Sequence, residues 1–173
     1  MEQVILVDNT DNEIGVMEKM ETHEKALLHR AFSVFIFNNK GEMLLQQRAF
    51  SKYHSGGLWT NSCCSHPRPN ENTLAAAERR LFEELGFKTS LHKIFDFTYK
   101  AAFDNGLVEH EFDHVYYGLY NGPIEINEFE VCDVTYKNMD EIKFSMQEDP
   151  DKYTVWFQLA FPKVYDWFNN STL

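Results

Sequence analysis

A thiol and an imidazole lie two positions apart in the segment Cys63-Cys64-Ser65-His66-Pro67. Such a pair can supply a nucleophile and a base, or an acid and a metal ligand, although loop packing alone also accounts for these residue types. The segment lies within a longer stretch, residues 51–70, that is rich in Gly, Ser and Pro. Because loops of this length inside compact domains are commonly functional, we expect a site here.

A second candidate pattern is Glu109-His110-Glu111. If this segment is extended, Glu109 and Glu111 project to one face and can reach the same metal ion, although alternating charge is also typical of a solvated strand face. With His23, His29 and His66 as nitrogen donors, the set would suit zinc or manganese better than calcium. Spacing alone does not bring these residues together. The remaining histidines have no partner pattern and are interpreted as surface or core residues: His54, His92, His110 and His114.

The clearest helix of the chain follows this loop. Asn72 or Thr73 can cap its start, and Gly86 predicts its end. Arg80 and Glu84 lie four residues apart, so a cation and a carboxylate share one side of the helix. The apolar stripe at helical spacing consists of Leu74, Ala77, Leu81 and Leu85.

The other elements occur in a mixed order, with several hairpins and few helices. This order favours an α+β fold over a doubly wound parallel sheet. Strands are predicted at residues 4–7, 14–17, 31–37, 42–48, 94–102, 111–120 and 131–136, and short helices at 139–147 and 155–168.

Composition limits the class of protein. A chain of 173 residues with 43% hydrophobic and 25% charged residues predicts one globular domain spanning residues 1–173. The net charge of −11 disfavours nucleic acid and anionic membranes as partners, so an anionic ligand would need a local basic pocket. Three cysteines, two of them adjacent, together with the absence of a signal-peptide pattern, predict a cytoplasmic protein.

Residues 65–87 resemble a degenerate Nudix box, the loop–helix–loop in which helix carboxylates hold magnesium against a diphosphate. Two positions depart from the pattern: Ser65 replaces the first glycine, and Arg80 replaces a glutamate that the hydrolases use. Exchanging a carboxylate for a cation weakens metal-assisted attack by water on phosphorus and adds a diphosphate contact. The positions that match are Glu71, Arg79, Leu81, Glu83, Glu84, Gly86 and Phe87.

Three flanking segments identify a branch of this superfamily. Residues 28–34 (LHRAFSV), 45–48 (LQQR) and 59–67 (WTNSCCSHP) resemble the type 1 isopentenyl-diphosphate isomerases, and the resemblance extends over about residues 4–156. It implies a Nudix-like α+β fold with mixed sheets flanked by helices. It also implies that isopentenyl diphosphate is converted to dimethylallyl diphosphate through a tertiary carbocation, in isoprenoid biosynthesis.

The resemblance also implies roles for individual residues. Cys64 and Glu111 would transfer the protons, with Tyr99 assisting Glu111. Trp156 would offer its aromatic face to the carbocation, although a core tryptophan is an equally good interpretation of the residue alone. The role of Cys63 stays open. We favour the interpretation that it is a small buried residue next to Cys64.

Metal and phosphate ligands are implied in the same way. A divalent ion, Mn²⁺ or Zn²⁺, would bind in the His/Glu site, and Mg²⁺ would bridge Glu84 and the substrate diphosphate. Lys19 and Lys52 would be interpreted as solvated surface charges without the resemblance. The His/Glu site would comprise His23, His29, His66, Glu109 and Glu111, and the diphosphate contacts would be Lys19, Arg48, Lys52 and Arg80.

The alternative function is a Nudix diphosphohydrolase acting on a nucleoside or prenyl diphosphate. An intact carboxylate at the position of Arg80 would favour it, and the sequence lacks that carboxylate. A binding module without catalysis is disfavoured because the cysteine, tyrosine, paired glutamates and histidines are all present. Monomer and homodimer are both compatible with the sequence.

Overall fold

The computed structural model describes residues 2–171. Most predicted elements are present, with ends shifted by a few residues. A single 3₁₀ turn, Pro150–Lys152, precedes the last helix. The strands and helices are β1 Gln3–Val7, β2 Glu13–Glu18, α1 Lys19–Glu24, β3 His29–Phe37, β4 Met43–Arg48, β5 Trp59–Thr60, β6 Cys63–Ser65, α2 Thr73–Leu85, β7 His92–Ala102, β8 Val108–Leu119, β9 Val131–Lys137, α3 Met139–Glu148 and α4 Val155–Asn170.

Strand β3 lies at the centre of a mixed sheet. It pairs antiparallel with β1, β4 and β6, and parallel with β8 along its whole length. Strand β7 extends the sheet antiparallel to β8, while β5 and β9 pair with β4. This arrangement confirms the α+β class, because helices accompany a sheet that contains both parallel and antiparallel pairs.

Both faces of β3 are buried, as its alternating side chains require. Phe35 and Phe37 pack on one face in a core that includes residues of α4. Val34 and Ile36 pack on the other face with the apolar stripe of α2. The sheet therefore lies between two helical layers. Because neighbouring residues of a strand point to opposite faces, a shift of one position along β3 would transfer each side chain from one core to the other.

The two ends of α2 follow their predicted signals. The Asn72 side chain accepts hydrogen bonds from the backbone N–H groups of Leu74 and Ala75. Gly86 adopts φ = 74°, and a Cβ at this position would lie 2.7 Å from the carbonyl oxygen of Glu125. Only glycine fits this combination of left-handed backbone and close approach.

One prediction about local structure is wrong, and one element was not predicted. The region 51–70 is not a continuous loop, because β5 and β6 lie within it. Strand β5 has two residues and pairs with β4, and β6 has three residues and pairs with β3. Strands this short are not detectable from alternation of apolar and polar residues. Helix α1 was not predicted either; its six residues are too few for an apolar period, and the Glu18 side chain caps it by accepting from the Glu21 N–H.

None of the helices within residues 2–171 has the length and apolar composition required to cross a membrane.

Candidate active site

The paired glutamates are on β8, and the alternation of that strand directs both to one buried face. Parallel pairing with β3 places His29 in register with Glu111. His66 follows β6 immediately, and β6 pairs with the same central strand. His23 comes from α1, which precedes β3 in the chain. Four separate elements therefore converge at one end of β3.

The five predicted ligands form one compact cluster. One donor atom from each lies within 4.8 Å of all the others. His23 Nε2 is 2.9 Å from Glu109 Oε2, and His66 Nε2 is 2.8 Å from Glu111 Oε1. His29 Nε2 lies between the two carboxylates, 3.8 Å from Glu109 Oε2 and 3.7 Å from Glu111 Oε1.

The outer ring nitrogens show that this cluster fits a divalent cation. His23 Nδ1 donates to the carbonyl oxygen of Lys19 at 2.7 Å, and His29 Nδ1 donates to that of Leu27 at 2.9 Å. A neutral imidazole that donates from Nδ1 presents the lone pair of Nε2, and metal-binding histidines are commonly held in this way. Both Nε2 atoms face the cluster, so the nitrogen and carboxylate donors suit a borderline metal such as zinc or manganese.

Both carboxylates are ionised despite their burial. Burial alone would raise the pKa of Glu109, but contacts with His23 and His54 hold it well below its ordinary value. Burial and the charge of Glu109 would raise the pKa of Glu111, whereas His29 and His66 bring it below the ordinary value. The cluster thus concentrates negative charge in an interior that needs positive partners.

Glu111 has a second partner on its other oxygen. Tyr99 lies opposite Glu111 in the β7–β8 pairing, and its hydroxyl donates to Glu111 Oε2 at 2.6 Å. Burial, reinforced by the neighbouring carboxylates, raises the pKa of Tyr99 well above its ordinary value. The phenol therefore keeps its proton and orients Glu111 by hydrogen bonding.

The adjacent cysteines point to opposite faces of β6. Cys63 is fully buried in the core beneath α2, whereas Cys64 lines the pocket beside Glu111. Burial raises the pKa of Cys64 to about 12, although Arg48 opposes this shift. Cys64 is therefore a neutral thiol at physiological pH, which can donate a proton before it can accept one.

The predicted phosphate contacts surround the same pocket, but carboxylates already contact three of them. Arg80 Nη2 is 2.6 Å from Glu84 Oε1 and 3.3 Å from Glu130 Oε2. Lys52 also contacts Glu130. Lys19 lies 3.2 Å from Glu2 across the exposed edge of the site.

Arg48 and Trp156 form one wall of the pocket. The Arg48 guanidinium lies over the Trp156 ring, 5.0 Å from its centroid. The indole Nε1 donates to Thr60 Oγ1 at 2.9 Å, which holds the ring in place. Trp156 also packs in the core that contains Phe35 and Phe37, so it is both a core residue and a pocket residue.

The structure brings all the predicted site residues together. His23 and His29 do not line the pocket itself, because they are fully buried and contact Glu109 and Glu111 instead. The predicted residues that line the pocket are Lys19, Arg48, Lys52, Cys64, His66, Arg80, Glu84, Tyr99, Glu109, Glu111 and Trp156.

Sequence reasoning missed five residues of the pocket wall, one of which, Ser65, was noted only as a departure from the Nudix box. His54 was interpreted as a surface or core residue, but it lines the pocket with Nε2 2.9 Å from Glu109 Oε1. Its place two residues after Lys52, within the suspected functional loop, was an available signal. Gln46 donates to Glu84 Oε2 at 2.9 Å, a contact between strand and helix that no local pattern reveals. Tyr53 and Glu130 complete the set.

The NUDIX domain profile matches residues 27–157. A Pectobacterium atrosepticum protein named isopentenyl-diphosphate Delta-isomerase is 51% identical over 166 residues, covering 96% of this chain and 93% of the relative. This chain belongs to the isopentenyl-diphosphate Delta-isomerase family. Another member, from Serratia proteamaculans, is 53% identical over 156 residues and covers 90% of this chain and 87% of its own.

Solved structures of other proteins share the fold of this chain. DR0079 from Deinococcus radiodurans aligns with a TM-score of 0.71 at 18% identity, covering 85% of this chain and 90% of that one. A MutT protein from Methanosarcina mazei aligns at 0.67 and 16% identity, covering 83% and 96%. These similarities confirm the Nudix-like fold, and at such identities they extend to the fold alone.

Proposed function

We propose that this chain interconverts isopentenyl diphosphate and dimethylallyl diphosphate. The reaction adds a proton to the terminal alkene carbon and removes one from C2, so the double bond moves and the atomic composition is unchanged. Family membership supports this activity, since relatives about half identical over nearly the whole chain carry the isomerase name. The pocket supports it independently through the proton-transfer groups on its wall.

The observation that carries the proposal is the presence of a neutral thiol and an ionised carboxylate in one pocket. Cys64 retains its proton, while Glu111 is a carboxylate hydrogen-bonded to Tyr99. Moving a double bond requires one group that gives a proton and one that takes a proton. Cys64 and Glu111 form that pair, and Tyr99 holds Glu111 in position.

An unactivated alkene is a weak base, so the carbocation formed on protonation needs stabilisation. The electron-rich face of Trp156 and the negative charge of Glu111 both line the pocket. Arg48 covers one face of the indole, so the substrate would use the ring face and edge that remain. The Thr60 hydrogen bond keeps the ring from turning away.

The diphosphate end lies among Lys19, Arg48, Lys52 and Arg80. Phosphate oxygens would take the place of the carboxylates that now contact three of these cations. A magnesium ion shared by Glu84 and the diphosphate would offset the extra negative charge, since magnesium is commonly bound by one or two carboxylates together with substrate phosphates. The pocket thereby accommodates an anion in a chain of net charge −11.

The His/Glu cluster would hold the second divalent ion, Mn²⁺ or Zn²⁺. Its residues fit such an ion in donor type and burial, and His23 and His29 also have the outer hydrogen bonds typical of metal ligands. When bound, the ion supplies positive charge that keeps Glu111 ionised and oriented. His23, His29 and His66 provide nitrogen, and Glu109 shares the remaining charge.

Hydrolysis of a diphosphate is not favoured. Arg80 occupies the helix position where the hydrolases carry a glutamate, and its guanidinium contacts Glu83 and Glu84. The exchange removes one carboxylate from the set that would hold the metal ions needed for hydrolysis. The helix therefore lacks the arrangement that activates water against phosphorus.

The test is incubation of the metal-loaded protein with isopentenyl diphosphate, with dimethylallyl diphosphate and released phosphate followed over time. In D₂O, the new methyl group should acquire deuterium, because the added proton comes from a group that exchanges with solvent. Isomer without phosphate is the expected result. Phosphate or a prenyl monophosphate without isomer would overturn the proposal in favour of a diphosphohydrolase. A reaction without protein controls for spontaneous change.

A further inference from the structure

His54 makes a contact that the proposed mechanism does not use. It lies on the connection between β4 and β5, and its Nε2 is 2.9 Å from Glu109 Oε1. The other oxygen of the same carboxylate, Oε2, is 2.9 Å from His23 Nε2. Each oxygen of Glu109 therefore lies close to one imidazole, His23 within the metal-type cluster and His54 outside it.

The surroundings of His54 restrict its ring to this position. The imidazole stacks on Phe103 with centroids 4.7 Å apart and an interplanar angle of 12°. The edges of Tyr53 and Trp156 close two further sides. Only 8% of the residue is exposed, so its polar atoms need partners inside the protein.

The two ring nitrogens have different neighbours. Nδ1 lies 3.3 Å from Ser55 Oγ, and a hydroxyl that donates to Nδ1 leaves the hydrogen on Nε2. Buried Nε2 has no aligned hydrogen-bond partner, and Glu109 Oε1 is the acceptor within reach. Ser55 itself has φ = 53°, a left-handed conformation that costs about 1 kcal/mol for a residue other than glycine. The strained backbone thus presents this histidine to Glu109.

We propose that His54 is a positioning residue that presents Nε2–H to Glu109 Oε1 and so keeps Glu109 Oε2 directed into the His/Glu cluster. The inference rests on the proposed metal centre. His54 acts through Glu109 rather than as a ligand, because its nitrogen lies outside the set of donor atoms that come within 4.8 Å of one another. Since Lys52 lies two residues earlier, the same segment serves the diphosphate and the metal cluster.

Metal affinity tests this role without reference to activity. His54→Phe keeps a ring for stacking on Phe103 but removes the N–H, whereas His54→Gln keeps an N–H donor. The affinity of the metal-free chain for Zn²⁺ or Mn²⁺ alone is measured by competition with a chromophoric chelator. We expect His54→Phe to weaken binding by about tenfold or more, as loss of outer hydrogen bonds does at metal sites, and His54→Gln to restore most of it.

Controls separate the possible outcomes. His92→Phe alters an exposed histidine elsewhere on the sheet and should leave the affinity unchanged. His54→Ala gives a second variant without the N–H, should the phenylalanine not be accommodated. Unchanged affinity in folded His54→Phe and His54→Ala would overturn the inference and leave the metal centre intact. Equal weakening in His54→Gln would assign the effect to packing and also overturn it. A wild-type chain that binds no metal would overturn the metal centre itself.

Discussion

Replacing Cys64 by alanine should abolish most of the isomerase activity while the protein stays folded. The thiol lines the pocket beside Glu111, its pKa is raised to about 12, and in the proposed mechanism it transfers one of the two protons. A positioned acid or base commonly contributes about 10²–10⁴-fold to a rate. The loss should therefore be at least about 100-fold, which corresponds to about 2.7 kcal/mol of transition-state stabilisation.

The matched control is Cys63→Ala. Cys63 is fully buried against α2, so removal of its sulfur leaves a small cavity in the core. Loss of one buried heavy atom should cost about 1–2 kcal/mol of unfolding free energy. Since domains of this kind have about 5–15 kcal/mol in total, the variant should remain folded and keep most of its activity.

Two assays carry this comparison. Formation of dimethylallyl diphosphate by the metal-loaded variants gives the rates, and urea unfolding gives the stabilities. The assignment is refuted if both variants remain folded and lose activity equally, or if Cys64→Ala stays active. Either result would mean that the opposite orientation of the two thiols on β6 does not decide which one reacts.

Three further outcomes follow from the contacts around the site. Glu111→Gln should lower activity by about 100-fold or more even when metal content is restored, measured with bound metal quantified alongside the rate; full activity would reduce Glu111 to a ligand. Glu71→Gln should cost about 1 kcal/mol at pH 7, because Glu71 bonds Arg79 through both oxygens. The Arg79 hydrogen bonds lower the pKa of Glu71, so this stability is present above its ordinary pKa and is lost as the pH falls through the lowered value. The urea midpoints of wild type and variant should therefore converge as the pH is lowered below the ordinary carboxyl range, and a constant difference would contradict the assignment. Chelation of the divalent ion should lower Tm by about 5–10 °C if the free ion was at about 100 times its Kd, as measured by thermal melts with and without added metal; an unchanged Tm would argue against a buried ion.

The sequence was most informative where a local rule determines structure. The cap at Asn72 and the left-handed Gly86 gave both ends of α2, since each depends on hydrogen bonds or backbone freedom within a few residues. The period of two in β8 placed Glu109 and Glu111 on one face for the same reason. Local rules could not predict that His23 and His66 lie beside these glutamates. That arrangement depends on tertiary contacts, including the pairing of β3 with β6 and β8.

Features created by tertiary contact were the ones missed. Strands β5 and β6 are too short to be recognised from their own residues, and they form because longer strands offer them hydrogen-bonding partners. His54 was interpreted as a surface or core residue because its neighbour in space, Glu109, lies 55 positions later in the sequence. No local sequence pattern connects two residues so far apart. Family resemblance could not have recovered it either, since the resemblance was carried by other residues of the loop.

Binding of an anionic substrate depends on local charges that the overall composition does not reveal. A net charge of −11 predicted that only a local basic pocket could bind a diphosphate. The cations are present, but Lys52 and Arg80 share Glu130, and Arg80 also contacts Glu84. Because carboxylates already contact these cations, a diphosphate that binds them would displace carboxylates, and the released negative charge then needs a counterion. In the proposed function a magnesium ion at Glu84 would supply that counterion, and we therefore expect substrate and metal to bind together.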